Sequence, residues 1–167
     1  MNIKLFITDI DGVWTDGGMY YSEKGDEQKR FNTSDSAGVL FLRENDIEVA
    51  IISGEDTQIV KARANKLKIN HCFLGVSDKV AVAEKLCREL RLSLEQVAFI
   101  GDDINDLSLL RKVALSGTPQ QAPRYLKKEV DYVCQKKGGE GAFREFVEYY
   151  LEQESLLEET INRIVKR

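Results

Sequence analysis

The sequence is poor in the residues that build nitrogen and sulfur metal sites or disulfide frameworks. Its 167 residues include one histidine, His71, and three cysteines, Cys72, Cys87 and Cys134. An odd number of widely spaced cysteines makes neither a disulfide framework nor a zinc knuckle. A single histidine excludes any catalytic scheme that needs several. A reducing cytoplasm is therefore the expected setting.

Long apolar runs and an excess of positive charge are also absent. No segment approaches the roughly 18 apolar residues that span a bilayer, and no secretory signal is expected at the N-terminus. The net charge of −4 disfavours general binding to nucleic acid or to a membrane. Hydrophobic residues make up 43% and charged residues 31% of the chain, which predicts one domain over residues 1–167.

The rest of the chain is organised around its first apolar segment. Residues 5–7 are apolar without alternation, as in strands that are buried on both faces of a parallel sheet. Asp9 and Asp11 follow directly, and two carboxylates at the end of a buried strand are costly without a positive partner. Mg²⁺ is a suitable partner because it prefers oxygen ligands. Taken alone, the segment is equally compatible with an aspartate-rich turn that caps the strand.

Strands and helices alternate along the rest of the chain, which predicts an α/β, doubly wound parallel sheet. Strands are expected near residues 47–52, 71–74, 97–100, 115–117 and 132–134, and helices near 33–42, 56–68, 78–90 and 107–113. A β-hairpin, called the flap below, is predicted at about residues 17–32, with a decorative solvated hairpin as the alternative.

The C-terminal segment, residues 136–167, is called the tail below. It begins with a glycine-rich stretch and continues as one long helical pattern with an apolar stripe. We expect the first turns of this helix to dock on the core of the chain. The last fifteen or so residues are candidates for packing on another subunit.

Polar side chains follow three of the predicted strands, and one lysine begins a helix between them. The set comprises Asp9, Asp11, Ser53, Lys79, Asp102, Asp103 and Asp106. The carboxyl ends of parallel strands meet at one edge of a sheet, so these side chains can share one pocket. Carboxylates bind Mg²⁺, and the cation, the lysine and the hydroxyl can then bind a phosphate. Each residue alone has a structural explanation, as a helix cap or a solvated charge, but the cluster together is costly without a ligand.

These residues resemble, in order, the four motifs of the haloacid dehalogenase (HAD) phosphohydrolases. The motifs are Asp9–Val13, Ser53-Gly54, Lys79 and Gly101–Asp106. The resemblance covers nearly the whole chain. It implies a Rossmann-like fold and hydrolysis through an aspartyl phosphate. Asp9 would be the nucleophile and Asp11 the proton donor and later the base.

The same resemblance implies the ligands of the phosphate and the metal. Ser53 and Lys79 would hold the non-bridging phosphate oxygens. Asp9, the carbonyl oxygen of Asp11 and Asp102 would hold Mg²⁺. Asp103 and Asp106 would lie nearby, behind the metal ligands.

Only about 40 residues separate Asp11 from Ser53, so the chain has no room for a cap domain there. The flap and the residues 138–145 of the tail resemble the 3-deoxy-D-manno-octulosonate 8-phosphate (KDO 8-phosphate) phosphatases and their nonulosonate relatives. This resemblance implies a homotetramer in which flaps associate, each subunit helps to cover a neighbour's site, and the tail contributes to the site.

Residues 9–18 and 31–38 are more similar to the nonulosonate branch, which acts on 2-keto-3-deoxynononate 9-phosphate (KDN 9-phosphate). Ser36 stands where the octulosonate branch usually has glycine, and Glu55 and Lys66 match the nonulosonate branch. KDN 9-phosphate is therefore the favoured substrate, and KDO 8-phosphate is the alternative. Glu55 and Lys66 share one predicted helix and lie about 16 Å apart along it.

One small sugar would have difficulty contacting both residues within one subunit. Glu55 is therefore the nearer candidate of the two for binding sugar hydroxyls. Lys66 and Arg63 are candidates for binding a carboxylate across a subunit interface, and a solvated helix face is the alternative. Thr33 and Gly54 complete the candidate substrate-binding set.

Three other functions remain open. One is a broad phosphatase of small phosphomonoesters, and another is a protein phosphatase. The third is a non-catalytic HAD-like domain that oligomerises a sialic-acid-activating system. This sequence type also occurs fused behind the cytidylyltransferase of such systems, but the chain has no glycine-rich nucleotide loop, so no cytidylyl transfer is expected.

Overall fold

The computed structural model describes residues 1–166, apart from the side chains of Asp26 and Glu27. The strands are β1 (Leu5–Thr8), β2 (Tyr20–Ser22), β3 (Gly25–Gln28), β4 (Glu48–Ile52), β5 (His71–Phe73), β6 (Val97–Ile100), β7 (Leu115–Thr118) and β8 (Tyr132–Val133). The helices are α1 (Asp35–Glu44), α2 (Gln58–Lys66), α3 (Lys79–Leu90), α4 (Leu107–Leu110), α5 (Arg124–Lys127), α6 (Ala142–Gln153) and α7 (Leu157–Val165). Short 3₁₀ turns cover Leu94–Gln96 and Ile104–Asp106.

Six of the strands form one parallel sheet in the order β5-β4-β1-β6-β7-β8. β1 lies in the middle, where Phe6 is paired with Val49 on one side and Ala98 on the other. The strand order reverses at β1, and such a switch point opens a crevice at the carboxyl ends of the strands. The predicted α/β, doubly wound parallel sheet is confirmed.

Side chains of β1 alternate between two apolar layers on the two faces of the sheet. Phe6 packs with the layer that includes α1, α2 and α6, and its ring lies 5.7 Å from Phe146 and 5.3 Å from Tyr150 between centroids. Leu5 and Ile7 pack in the opposite layer with α3 and α4. Because both faces are covered, the strand is fully buried and its sequence shows no polar alternation.

The flap is confirmed as a separate two-stranded antiparallel sheet of β2 and β3. It follows the turn after the acidic pair and forms no hydrogen-bonded pair with the main sheet among the described residues. The two tyrosines of β2 are turned outward, since Tyr20 is 55% and Tyr21 67% exposed. Between Asp11 and Ser53 the described residues form the flap, α1 and β4, without a cap domain in this part of the chain.

The prediction of one long C-terminal helix is wrong, because α6 ends at Gln153 and α7 begins at Leu157. Ser155 adopts a positive φ of 57°, and its amide and that of Leu156 donate to the carbonyls of Glu152 and Leu151. This is a Schellman-type helix end, which needs a left-handed residue. The expected helix at 107–113 is likewise shorter, because α4 ends at Leu110.

α7 folds back on α1 of its own chain, although its residues were candidates for contact with another subunit. Thr160 is buried, and its hydroxyl accepts a hydrogen bond from Asn45 Nδ2 at 2.8 Å. Arg163 donates to Asn45 Oδ1 at 2.7 Å. No helix among the described residues is both long enough and apolar enough to cross a membrane.

Candidate active site

The site begins where β1 ends. Asp9 continues the strand by one residue, and its amide donates to the carbonyl of Ile100 at 3.0 Å. The chain then turns sharply, and the amides of residues 13–15 all donate to the carbonyl of Ile10. Trp14 is fully buried beneath this turn and donates from Nε1 to Thr8 Oγ1 at 2.9 Å. The turn is thus fixed to the core, so Asp9 is presented in a defined position.

Lys79 joins two buried carboxylates at the edge of the sheet. Its Nζ lies 2.8 Å from Asp9 Oδ2 and 2.6 Å from Asp106 Oδ1. The side chains are 1%, 7% and 0% exposed for Lys79, Asp9 and Asp106. Lys79 begins α3, whose N-terminus is capped by Asp78 accepting from the Ala81 amide. A buried ion pair of this kind is costly unless its geometry is good, and the three groups meet that condition.

Asp106 also organises the loop after β6. Its Oδ2 accepts hydrogen bonds from the amides of Asp102 at 2.9 Å and Asp103 at 3.2 Å. Both of its oxygens are therefore occupied by neighbours within the chain. Gly101 permits this approach, because a Cβ there would overlap the Asp106 side chain. Gly12 does the same for the carboxylate of Asp102, and its φ of +81° also favours glycine.

Negative charge is in excess at this edge. Burial raises the pKa of Asp9 to about 7, with a further contribution from Asp106 that Lys79 partly offsets. Burial also raises the pKa of Asp102 to about 8, and the charges of Asp9, Asp106 and Asp103 add to the shift. The pKa of Lys79 is raised, since Asp9 and Asp106 together outweigh the lowering effect of burial. One ammonium group does not balance these acids, so the edge favours an additional cation.

A divalent cation fits the donor set. Asp9, Asp102 and Asp106 each offer a carboxylate oxygen, and the three oxygens lie within 4.8 Å of one another. Mg²⁺ prefers such oxygen ligands. Asp106 already accepts from Lys79 and two amides, and Asp9 accepts from Lys79 at Oδ2 and from the Ile10 amide at Oδ1. Asp102, which accepts none of these bonds, is therefore the most available of the three carboxylates. Asp9 and Asp102 are the two carboxylates that the resemblance implied as ligands of Mg²⁺.

The cluster opens into a cavity of about 250 Å³. Its lining consists of Asp9, Asp11, Gly12, Gly17, Ser53, Gly54, Glu55, Asp102, Asp103 and Asn105. Ser53 follows β4, and its amide donates to the carbonyl of Phe73. Its hydroxyl is buried and has no hydrogen-bond partner among the residues that the structure describes. A polar atom buried without a partner is costly, which indicates that Ser53 is placed for a ligand.

Two features of the site were missed by the sequence reasoning. Lys29, at the base of the flap, places Nζ 2.6 Å from Asp11 Oδ1 with its side chain fully buried. Asn105 lines the cavity from the loop after β6. In the sequence, the predicted cluster has more carboxylates than ammonium groups, which indicates that a second cation is needed. This surplus alone does not identify Lys29.

The tail packs against the turn that follows Asp9, and none of its described residues lines the cavity. The amide of Gly139 donates to the carbonyl of Val13 at 3.2 Å. Gln121 links the two segments, because its Nε2 donates to the carbonyl of Gly12 and its Oε1 accepts from the Gly138 amide. A Cβ on Gly138 would overlap the carbonyl oxygen of Gly12. The glycine-rich start of the tail therefore supports the turn that follows Asp9.

Several predicted substrate-binding residues do not line the cavity. Thr33 and Lys66 are exposed outside it. Arg63 donates to Ser36 Oγ at 2.8 Å and lies over the ring of Phe31 at 5.6 Å, so it packs α2 against the start of α1. Within one chain these residues are separated from the candidate phosphate site.

Glu55 does line the cavity, but the prediction that it shares a helix with Lys66 is wrong. α2 begins at Gln58, after an N-cap at Thr57 whose side chain accepts from the Val60 amide. Glu55 therefore lies in the loop between Ser53 and the helix. It does not share a helix with Lys66.

Comparison with known proteins identifies the family. Residues 56–146 match the family model described as haloacid dehalogenase-like hydrolase. A 3-deoxy-D-manno-octulosonate 8-phosphate phosphatase of Yersinia pestis is 41% identical over 157 residues, which cover 94% of this chain and 84% of the relative. The chain belongs to the haloacid dehalogenase-like hydrolases. The family resemblance and the phosphatase class that the sequence indicated are confirmed.

Solved structures agree closely with this fold. A phosphatase of the same name from Moraxella catarrhalis, in complex with magnesium, phosphate and KDO, matches with a TM-score of 0.92 at 33% identity, covering 98% of this chain and 94% of that one. The cobalt-bound phosphatase from Haemophilus influenzae matches with a TM-score of 0.90 at 38% identity, covering 93% and 91%. Both structures are described with a bound divalent metal, which accords with the oxygen-rich donor set found here.

Proposed function

We propose that this protein is a Mg²⁺-dependent phosphatase that hydrolyses the phosphate monoester of a 2-keto-3-deoxy sugar acid through an aspartyl phosphate. One observation carries the proposal: Asp9, paired with Lys79, lines the same cavity as Ser53, whose hydroxyl has no hydrogen-bond partner among the described residues. A carboxylate, an ammonium and a hydroxyl at one sheet edge are the groups that phosphoryl transfer to an aspartate needs.

In the proposed reaction, Ser53 Oγ and Lys79 Nζ bind the non-bridging oxygens of the phosphate. Asp9 attacks phosphorus, and the bond from phosphorus to the sugar oxygen breaks. Asp11 gives a proton to the leaving oxygen and so releases the sugar acid as an alcohol. Asp11 then takes a proton from a water molecule that attacks phosphorus, and inorganic phosphate leaves as Asp9 is restored.

Asp9, Asp102 and the carbonyl of Asp11 would hold Mg²⁺. When bound, the ion offsets the negative charge that spreads over the equatorial phosphate oxygens. Asp106 holds Lys79 and the two amides of the metal-binding loop. Asp103 also lines the cavity.

The named relatives favour KDO 8-phosphate as the substrate. Phosphatases of Yersinia pestis and Haemophilus influenzae, which are 41% and 40% identical over most of this chain, carry that name, and so does the 33% identical structure from Moraxella catarrhalis. They do not support the preference for KDN 9-phosphate that Ser36, Glu55 and Lys66 indicated. We therefore place the eight-carbon sugar acid phosphate first.

The nine-carbon substrate is kept as a second candidate for one reason. Glu55 is exposed and lines the cavity beside Ser53, where its carboxylate can accept hydrogen bonds from sugar hydroxyls. Lys66 and Arg63 give no support within one chain.

The deciding experiment is kcat/KM with Mg²⁺ for KDO 8-phosphate and KDN 9-phosphate side by side. The wild type and Glu55→Gln are compared, with Glu89→Gln on the exposed side of α3 as the matched control. A preference for the eight-carbon substrate confirms the first choice. A preference for the nine-carbon substrate that Glu55→Gln removes would reverse it. Similar values for many sugar phosphates would indicate a broad phosphatase, and no turnover at all a non-catalytic domain.

The assembly is also proposed as a homotetramer that forms through the flaps, in a cytoplasmic setting. Tyr20 and Tyr21 support the assembly because they expose most of their aromatic surface on the flap. The three free cysteines accord with a reducing compartment. Sedimentation of the wild type and of Tyr21→Ser tests the assembly, since a wild-type monomer would contradict it.

A further inference from the structure

Lys29 is the one lysine of the flap whose side chain is fully withdrawn from solvent in the described structure. It follows β3 directly and reaches back to Asp11, with Nζ 2.6 Å from Oδ1. None of its side chain is exposed, whereas 24% of the Asp11 side chain is. Burying an ammonium is costly unless it is paired. The contact with Asp11 is therefore a determinant of where the base of the flap lies.

The contact also distinguishes the two oxygens of Asp11. Oδ1 accepts from Lys29, while Oδ2 is buried and has no hydrogen-bond partner among the described residues. A carboxylate that is held by one oxygen has little rotational freedom left. The other oxygen is then the one that can exchange a proton with a bound substrate.

We propose that Lys29 is a positioning residue, which holds Asp11 so that its free oxygen serves the proton transfers of the reaction. The inference rests on the proposed function, because it needs Asp11 to protonate the leaving alcohol. It goes further by assigning part of the catalytic geometry to the flap. A contact through Asp11 places Lys29 outside the phosphate-binding set, which Ser53 and Lys79 form.

A choice of leaving group isolates this role. An alkyl phosphate releases a strongly basic alkoxide, which needs the proton from Asp11. p-Nitrophenyl phosphate releases a weakly basic phenolate, which leaves without one. Because kcat/KM covers steps up to release of the first product, the later use of Asp11 as a base does not enter it. A defect in positioning Asp11 should thus appear in kcat/KM for the alkyl phosphate alone.

The test compares Lys29→Met and Lys29→Arg with the wild type on two substrates. KDO 8-phosphate is the alkyl phosphate, and p-nitrophenyl phosphate is the aryl phosphate. Lys24→Met is the control, since Lys24 is an exposed lysine of the same flap. We expect Lys29→Met to lower kcat/KM for the alkyl phosphate about 100-fold, the lower range of general acid catalysis. The aryl phosphate should change by only about threefold, within the range of indirect effects. Lys29→Arg should recover part of the loss, and Lys24→Met should match the wild type.

A second comparison tests the route of the effect. If Lys29 acts through Asp11, Lys29→Met in an Asp11→Asn background should cause little further loss on the alkyl phosphate. Equal losses on both substrates, or full additivity with Asp11→Asn, would overturn the inference while leaving the proposed function in place. A wild type that hydrolyses neither substrate would overturn both together.

Discussion

Two lysines bind the two aspartates that follow β1, but they come from different parts of the molecule. Lys79 comes from a core helix and meets Asp9 and Asp106, all at 7% exposure or less. Lys29 comes from the base of a flap whose two tyrosines are more than half exposed. The groups that would bind phosphate are thus fixed by the core, whereas the group that would move protons depends on an appended hairpin.

The largest expected effect is on turnover, and it concerns Asp9, the aspartate that the core lysine holds. Asp9→Asn removes the nucleophile, so turnover should fall by about 10⁴-fold or more, as for other residues that act as a catalytic unit. Folding should remain intact, because the amide keeps the shape of the side chain and removes a buried charge. Steady-state kinetics and the unfolding midpoint measure both results. Retained turnover would mean that Asp9 is not the nucleophile.

Replacing Lys79 should lower the unfolding free energy more than replacing Lys29. Lys79→Met leaves Asp9 and Asp106 buried together without their cation, which should cost about 3 to 5 kcal/mol of unfolding free energy. Lys29→Met leaves the partly exposed Asp11 without its partner and should cost about 1 kcal/mol, as for an ordinary hydrogen-bonded group. Urea unfolding in the absence of Mg²⁺ measures both. Equal losses of unfolding free energy in the two variants would contradict this difference between flap and core.

Adding Mg²⁺ should stabilise the protein through the core carboxylates and not through the contact between Lys29 and Asp11. The ion relieves the repulsion among the acids, and at a hundredfold excess over Kd it should add about 2.7 kcal/mol, or roughly 5 to 10 °C in Tm. Asp102→Asn should lose most of this shift, whereas Lys29→Met should keep it. Thermal unfolding with and without EDTA gives the comparison. A full shift in Asp102→Asn would place the ion elsewhere.

An effect that depends on pH is expected at a third region, where α1 meets α6. Burial raises the pKa of Asp35 to about 6, although the Arg144 amide, Arg63 and Lys136 partly oppose the shift. The folded state therefore binds this proton more tightly than the unfolded state. Its contribution to stability is complete below about pH 4 and is lost as pH rises through 6.

The Asp35→Asn variant should not lose stability as pH rises through 6, because its side chain does not titrate. The amide oxygen of the new side chain can still accept from the Arg144 amide, which donates to Asp35 Oδ1 in the wild type. At pH 7.5 the variant should be more stable by about 2 to 3 kcal/mol. Near pH 4.5 the difference should shrink to about 1 kcal/mol. Urea unfolding at the two pH values measures this, and a gain that is the same at both would contradict the titration of Asp35.

The sequence predicted the core side of the site well and the flap side poorly, for a physical reason. Asp9 and Lys79 meet because parallel strands end at one edge, a rule that needs no atomic detail. The contact between Lys29 and Asp11 depends on how a short hairpin folds back, which no periodicity reports. The positive φ of Ser155 that ends α6 is equally invisible in a polar, helix-compatible stretch. The loop position of Glu55 depended on a helix boundary, the least certain feature of such patterns.

The most direct test of the account is to trap the covalent intermediate. The enzyme with Mg²⁺ is mixed with KDO 8-phosphate, quenched within one turnover and reduced with borohydride, which converts an aspartyl phosphate to homoserine. Peptide mass analysis then locates the altered residue. The account predicts the change at Asp9, and its absence when substrate is omitted. Modification at another aspartate, or none while phosphate is released, would contradict it.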